Sequence, residues 1–234
     1  MSKENILTLE NVHKEYMQGK TCIEVLKNVN LAVNAGEMVA IVGNSGCGKS
    51  TLLHIAGLLD APKEGKVKIC NIDCSDKDVK KNTLRLNNIG FVYQYHHLLK
   101  DFSARENVAM PKIISGASYA SSLKEADVLL IKLGLENRLY NLPGELSGGE
   151  QQRVAIARCL INSPKIILAD EPTGNLDPVT SEEVFKLFVE HASSNGAAII
   201  MVTHNHALAN RMHKAYELKF GLLQPIILDN LTKI

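Results

Sequence analysis

Residues 43–51, GNSGCGKST, form a glycine-rich segment with the spacing of a phosphate-binding loop. Glycines let the backbone wrap closely around phosphate oxygens, which successive backbone N–H groups can then bind. Lys49 would add a positive charge at the β and γ phosphates, and Ser50 would offer a hydroxyl to Mg²⁺. The segment therefore predicts a site for a nucleoside triphosphate with magnesium. The loop residues expected to bind the nucleotide are Gly43, Asn44, Ser45, Gly46, Cys47, Gly48, Lys49, Ser50 and Thr51.

Two acidic residues stand where a second set of contacts to the triphosphate is needed. The segment IILADEP, residues 166–172, places Asp170 and Glu171 at the end of an apolar run. An acid at the end of a strand beside the loop is expected to position Mg²⁺, which is the role predicted for Asp170. Glu171 follows in the chain, where a carboxylate can accept a proton from an attacking water. This pair predicts hydrolysis in addition to binding.

His204 follows another apolar run, residues 197–202, and could reach the γ phosphate. A histidine at a strand end is more often structural or solvated when it stands alone. Beside the loop and the acidic pair, it is predicted to be functional.

A second glycine pair occurs in LSGGEQQR, residues 146–153. Ser147 and Glu150 have the spacing of a capping box, so a helix is expected to begin at Ser147. The amides of Gly148 and Gly149 would then face outward at the helix N-terminus as an anion site. Because the first loop already holds the phosphates of one nucleotide, this second site is predicted to bind a phosphate from elsewhere.

The elements that must position these residues follow from the hydrophobic pattern. Continuous apolar runs are typical of parallel strands buried on both faces and are found at residues 38–42, 166–169 and 197–202. Alternating patterns at 6–10 and 66–69 predict antiparallel β structure. Residues 50–59 predict a helix directly after the loop. Residues 87–162 are expected to be a helical region, with helices at 124–135 and 149–161 and a loop at 115–122.

Composition narrows the function classes. The 234 residues carry a formal net charge of +1, so no global field favours nucleic acid or anionic lipid. No apolar run approaches the roughly 18–20 residues of a membrane span, and the first residues lack the apolar core of a signal peptide. Five cysteines fit a reducing compartment. Cys70 and Cys74 are expected to be ordinary thiols, because no second Cys/His pair lies near them in sequence.

These motifs, in this order, resemble the ATP-binding subunit of an ABC transporter over essentially the whole chain. The resemblance implies an α/β fold: one domain over residues 1–234, with a P-loop hydrolase core of mostly parallel sheet, an antiparallel β subdomain and a helical subdomain at about 87–162. It also implies ATP and Mg²⁺ as cofactors, and a homodimer in which Ser147, Gly148 and Gly149 of one copy cover the γ phosphate of the other.

Four further residues take roles by the same resemblance. Tyr16 is similar to the aromatic residue that stacks on adenine. Gln94, in FVYQ, is similar to the glutamine that contacts Mg²⁺ and the attacking water. Asp177, in GNLD at 174–177, is similar to the acid of a loop that crosses the dimer interface, and His204 is similar to the switch histidine. The implied metal ligands are Ser50, Gln94 and Asp170.

Within this family the residues 93–111, 169–177 and 203–223 are most similar to the ATPases of bacterial lipoprotein-releasing systems. The chain departs from the usual pattern at Lys100, Asn205 and Cys47. The resemblance implies a peripheral location on the cytoplasmic face of the inner membrane, with membrane contact only through transmembrane permease subunits. The alternatives are the ATPase of a macrolide-exporter-like or cell-division complex, a soluble ABC ATPase acting on DNA or ribosomes, and a regulatory module that binds ATP without turnover.

Overall fold

Two sheets and a group of helices build the molecule, of which the computed structural model describes residues 4–228. The strands, in chain order, are β1 (Asn5–Gln18), β2 (Thr21–Asn34), β3 (Met38–Val42), β4 (Glu64–Ile69), β5 (Ile72–Asp73), β6 (Ile89–Tyr93), β7 (Ile166–Asp170), β8 (Ala198–Thr203), β9 (Lys214–Lys219) and β10 (Leu222–Ile226). The α-helices are α1 (Lys49–Ala56), α2 (Lys81–Asn88), α3 (Ala104–Ile114), α4 (Tyr119–Lys132), α5 (Gly148–Leu160), α6 (Pro178–Ser194) and α7 (His206–Ala209). One 3₁₀ turn spans Pro143–Glu145.

The central sheet has six strands in the order β10-β9-β3-β8-β7-β6. All its pairs are parallel except β9 with β10, which form an antiparallel hairpin. The three continuous apolar runs are its adjacent strands β3, β8 and β7, as predicted. Every residue of β3 and β8 is buried, because helices cover one face of this sheet and the second sheet with α1 covers the other.

The side chains of β3 show how these two cores are separated. Met38, Ala40 and Val42 point into a core shared with the helices α3 to α6. Val39 and Ile41 point into the opposite core, which contains α1 and the strands of the second sheet. The alternation of a strand therefore gives one continuous apolar segment to two different cores.

The second sheet is antiparallel and has the order β2-β1-β4-β5. The predicted segments at 6–10 and 66–69 pair within it, with Leu7 opposite Ile69 and Leu9 opposite Val67. Leu7 and Leu9 are buried while Thr8 is not, so the alternating pattern reflects one covered face. The prediction of antiparallel structure in this part of the chain is confirmed.

Three predicted boundaries are wrong. The helical region expected over residues 87–162 begins only at Ala104, because α2 ends at Asn88 and β6 follows it as the edge strand of the central sheet. The helix after the loop ends at Ala56, not at residue 59, because the backbone becomes left-handed at Leu58, with φ of 59°. The expected loop at 115–122 is helical from Tyr119, because Ser118 caps α4 by accepting from Ser121 N.

Two further observations bear on the sequence analysis. All five cysteines are free thiols, and Cys74 and Cys159 are buried. Within residues 4–228, no helix combines the length and the apolar character that crossing a bilayer requires.

Candidate active site

The carboxyl ends of the central strands meet at one edge of the sheet, and the candidate residues are attached there. Val42 lies opposite Thr203, Asp170 opposite Val202, and Tyr93 opposite Asp170. The phosphate loop, His204, Glu171 and Gln94 directly follow these strand ends, which brings them around one cleft of about 770 Å³. The predicted residues that line this cleft are Tyr16, Ser45, Gly46, Gly48, Lys49, Ser50, Thr51, Gln94, Asp170, Glu171 and His204.

The phosphate loop runs from β3 into α1 through a backbone that only glycine adopts easily. Gly48, the residue before the helix, has φ of 106°, and a Cβ there would lie 2.7 Å from Val25 Cγ1. Lys49 is 7% exposed, and its Nζ donates to the carbonyl oxygens of Gly43 at 2.7 Å and Asn44 at 2.9 Å. The ammonium group is thus held over the loop, where the first N–H groups of α1 have no partner within the helix.

Glu171 and His204 contact each other at the ends of the neighbouring strands β7 and β8. His204 Nδ1 lies 2.9 Å from Glu171 Oε1. The glutamate side chain is 16% exposed and the histidine 68%. Glu171 also has φ of 44°, a conformation that strains a residue with a side chain, while its N–H donates to Val202 O. The fold therefore holds this carboxylate in a fixed direction at the end of β7.

Gln94 is held by Asn175, a residue that the sequence analysis does not single out. Its Nε2 donates to Asn175 Oδ1 at 3.0 Å, and Asn175 Nδ2 donates back to the carbonyl oxygen of Gln94 at 3.1 Å. Gly174 allows this approach, because a Cβ there would lie 3.1 Å from both Gln94 Nε2 and Glu171 Oε2. No signal in the sequence marks Asn175 as a partner of Gln94, although it lies in the motif GNLD.

Asp177 of the same motif does not line the cleft. Its side chain caps α6 and accepts from the N–H groups of Val179 and Thr180, both at 3.1 Å. Hydrogen bonds to the carboxylate lower the pKa of Asp177, first that from the Thr180 side chain and then that from the Thr180 N–H group. Within this chain, Asp177 therefore fixes the start of α6.

Tyr16 lies at the other end of the cleft on β1, with its ring 42% exposed. Its hydroxyl donates to Asp60 Oδ2 at 2.8 Å, and Lys14 Nζ lies 5.0 Å from the ring centroid. Lys14 also donates to Asp60 Oδ1 at 2.7 Å. Burial and the hydrogen bond to Asp60 raise the pKa of Tyr16. These contacts hold the ring in place, and neither Lys14 nor Asp60 was indicated by the sequence.

The second glycine pair begins a helix, as predicted. Ser147 caps α5: its Oγ accepts from Glu150 N at 3.3 Å, and Ser147 N donates to Glu150 Oε2 at 2.7 Å. Arg138 Nε donates to the other oxygen of Glu150 at 2.7 Å. These contacts, first that with Arg138, lower the pKa of Glu150 to about 2. The carboxylate is thereby fixed, and it holds the cap in a single geometry.

The capped end of α5 does not line the cleft of its own chain. None of the three residues Ser147, Gly148 and Gly149 lines that cleft. Gly149 instead packs against α6, where a Cβ would lie 2.5 Å from Thr180 Cγ2. Gly43, Asn44 and Cys47 of the phosphate loop also do not line the cleft, although the Gly43 and Asn44 carbonyls hold Lys49.

The chain is similar in sequence to known proteins. A family model described as ABC transporter matches residues 26–174. The lipoprotein-releasing system ATP-binding protein LolD of Rickettsia felis is 60% identical over 93% of this chain and 97% of its own length. That of Hahella chejuensis is 49% identical over 97% of this chain and 98% of its own.

Solved structures agree with the sequence comparison. A dimeric structure of the ATP-binding cassette MJ0796, bound to ADP and Pi in a post-hydrolysis state, has a TM-score of 0.88 and 40% identity and covers 97% of this chain. A second dimeric structure of that bacterial ABC transporter cassette matches equally well, and both match over 100% of their own chains. The predicted fold, an α/β ABC ATPase with mixed, antiparallel and helical parts, is confirmed by these likenesses.

Proposed function

The chain belongs to the ABC transporter family of ATP-binding proteins and, within it, to the lipoprotein-releasing ATP-binding proteins, and we propose how its residues bind and hydrolyse ATP. It is the ATP-hydrolysing subunit of a transporter that releases lipoproteins from the inner membrane toward the outer membrane. The observation that carries the mechanism is the position of α5: its capped N-terminus is preorganised to bind an anion, yet it lies outside the cleft of its own chain.

The cleft binds the ATP phosphates through the loop of residues 43–51. The N–H groups at the start of α1 and the ammonium of Lys49 face the phosphate oxygens, and the Tyr16 ring stacks on adenine at the far end. Ser50, Gln94 and Asp170 bring hydroxyl, amide and carboxylate oxygens to one end of the cleft, a donor set that suits Mg²⁺. When bound, Mg²⁺ neutralises charge that develops on the phosphate oxygens.

Glu171 is the general base. The water oxygen attacks the γ phosphorus, the bond to the bridging oxygen of ADP breaks, and the proton of the water passes to the Glu171 carboxylate. His204 holds that carboxylate through the 2.9 Å contact and faces the γ phosphate with its exposed edge. Gln94, held by Asn175, positions the water from the opposite side.

Two copies of the chain complete two sites. In a twofold dimer, the Ser147, Gly148 and Gly149 end of one copy covers the γ phosphate bound to the loop of its partner. The start of α6, which Asp177 caps, lies at this interface and abuts Gly149 through Thr180. Since the γ phosphate contacts both copies only when they are closed, ATP shifts the dimer toward the closed state and hydrolysis reopens it.

We assign the transmembrane partners to a groove of about 570 Å³ beside the cleft, between α2, β6, α3 and α5. The groove offers an apolar surface that includes Leu59, Leu86, Phe91 and Ile114, and Tyr93 and His97 line both this groove and the cleft. Contact with permease subunits at this groove holds the chain on the cytoplasmic face of the membrane. We further propose that α3 to α5 move as a helical subdomain of one domain, with its start placed after β6.

The test is capture of the tagged full-length chain from membranes in mild detergent, with ATP, as wild type and as Glu171→Gln. We expect permease subunits with a few transmembrane helices and a large periplasmic part, enriched in the variant, with lipoproteins released on turnover of the wild type. Glu10→Gln in the antiparallel sheet breaks an ion pair with Lys68, and neither residue lines the cleft or the groove, so this variant is the matched control and should capture wild-type amounts. Recovery of ribosomes, DNA or no partner would contradict the transport function, and partners without lipoprotein release would favour another exporter.

A further inference from the structure

Arg158 joins α5 to the chain segment that carries Gln94. Its Nη1 donates to the carbonyl oxygen of His97 at 2.7 Å and its Nη2 to that of His96 at 2.6 Å. A planar guanidinium that donates to two consecutive carbonyls fixes both their distance and their direction, which a lysine or a water cannot do. The segment after β6 is thus attached to one face of α5.

Among residues 4–228, no carboxylate lies within ion-pair distance of the Arg158 guanidinium. Two other arginines, Arg105 and Arg138, each pair with an acid. Arg158 is half-buried, and burial lowers its pKa. A partly buried cation without an anion is costly, and in the described structure the two loop carbonyls are the groups that compensate it.

The two carbonyls belong to the wall that the cleft shares with the groove. Tyr93 and His97 line both cavities, and Arg158 lines the groove. The His97 ring meets the Tyr93 ring edge-on, with centroids 5.1 Å apart, and His97 has φ of 49°. This backbone is strained and lies in a loop, so it keeps its shape only while surrounding contacts determine it.

The other end of α5 is the capped anion site. Ser147 and Arg158 are eleven residues apart on one rigid helix, which is roughly 16 Å along its axis. A displacement of the capped end is therefore transmitted along the helix to the guanidinium. The wall of the cleft then moves with the helix, because the guanidinium holds the backbone of His96 and His97 in that wall.

We propose that Arg158 is a positioning residue: it makes the segment from Gln94 to His97 move with α5 when the capped end of α5 engages the partner's nucleotide. This inference rests on the proposed function, because it needs the closed dimer. It assigns to Arg158 no contact with ATP.

The test uses the full-length chain with Glu171→Gln as parent, and compares Arg158→Gln and Arg158→Lys. Two quantities are measured: the affinity of the monomer for a fluorescent ATP analogue, and the ATP-dependent dimerisation constant by analytical ultracentrifugation. We expect Arg158→Gln to change the monomer affinity less than about twofold, since the nucleotide binds its own loop, and to weaken dimerisation at least about tenfold through lost charge-assisted hydrogen bonds. Arg158→Lys should recover part of this loss, because its ammonium still reaches one carbonyl.

Arg105→Gln is the matched control. Arg105 is also partly buried in the helical part, but it pairs with Asp127 on α4 and does not contact residues 94–97. This variant should lower the unfolding midpoint and leave dimerisation at the parental value.

The outcomes separate the two claims. A parent that stays monomeric with saturating ATP would refute the proposed function, and with it this inference. A parent that dimerises while Arg158→Gln dimerises equally well would overturn the role of Arg158 alone. So would a loss of ATP affinity in proportion to the loss of dimerisation, which is the sign of a merely structural role. If Arg158→Gln does not fold, Arg158→Lys decides, with a several-fold weaker dimer expected and parental dimerisation refuting the role.

Discussion

Replacing Glu171 by glutamine should separate chemistry from binding. General-base catalysis contributes about 10² to 10⁴ in rate, so the barrier should rise by roughly 3 to 5 kcal/mol and kcat should fall by the same two to four orders of magnitude. The fold should not change, because the amide oxygen can still accept from His204 Nδ1 across the 2.9 Å contact. Since His204 is 68% exposed, the pair contributes less than about 1 kcal/mol to the free energy of unfolding.

Three measurements follow on one preparation: phosphate release at saturating ATP, affinity for ATP, and urea unfolding. We expect turnover to be almost lost, ATP affinity to stay within about twofold, and the unfolding free energy to stay within about 1 kcal/mol. Glu125→Gln on α4, which also removes one carboxylate from an ion pair, should match wild type in turnover. Turnover of Glu171→Gln within tenfold of wild type would refute Glu171 as the base, and a large loss of stability would refute the claim that it acts only in the chemistry.

Three other perturbations test the remaining parts of the site. Gly149→Ala should lower the unfolding free energy by about 1 to 3 kcal/mol and weaken dimerisation, because its methyl would lie 2.5 Å from Thr180 Cγ2. Urea unfolding checks this against Gly148→Ala, whose methyl meets nothing closer than 3.6 Å. Equal stability of the two variants would contradict the prediction. Lys49→Ala should weaken ATP binding at least about tenfold in a nucleotide titration, since it removes the only side-chain cation of the loop, and unchanged affinity would exclude Lys49 from the phosphate site. Glu150→Gln should be less stable than wild type at pH 7. Because folding lowers the pKa of Glu150 from 4.5 to about 2, the carboxylate stabilises the fold above pH 4.5 and loses this effect as the pH falls toward 2. The urea midpoints of the two proteins should therefore converge in acid, and a constant difference would refute the assignment.

The local motifs of this chain could be read from sequence because each depends on residues close together in the chain. The phosphate loop needs only its glycine spacing and the helix that follows, and the cap of α5 needs only Ser147 and Glu150, three residues apart. The strands β3, β7 and β8 were found because burial on both faces leaves a continuous apolar run. Their shared edge then follows from parallel pairing, and so does the meeting of Lys49, Asp170, Glu171 and His204.

The predictions failed where a local pattern was ambiguous. β6 is as short as β3 and β7, but Gly90 interrupts its apolar run, and it directly follows the helical turns of α2. The end of α1 was placed too late because Leu58 and Leu59 continue the apolar pattern, whereas the left-handed backbone of Leu58, with φ of 59°, ends the helix. Ser118 was taken as part of a loop although its side chain starts α4, because serine favours both loops and helix caps.

The chemical groups of the site are encoded locally in the sequence: a phosphate loop, two acids, a histidine and a second capped glycine pair, each recognisable from short spacings. How these groups are held, and which of them face each other, depends on the folded chain. Gln94 meets Asn175 across 81 residues of chain, Tyr16 meets Asp60 across 44, and Arg158 meets His97 across 61. Such contacts form only when distant segments pack together, and no local pattern records them, because the free energy that favours them comes from the packing of the whole core.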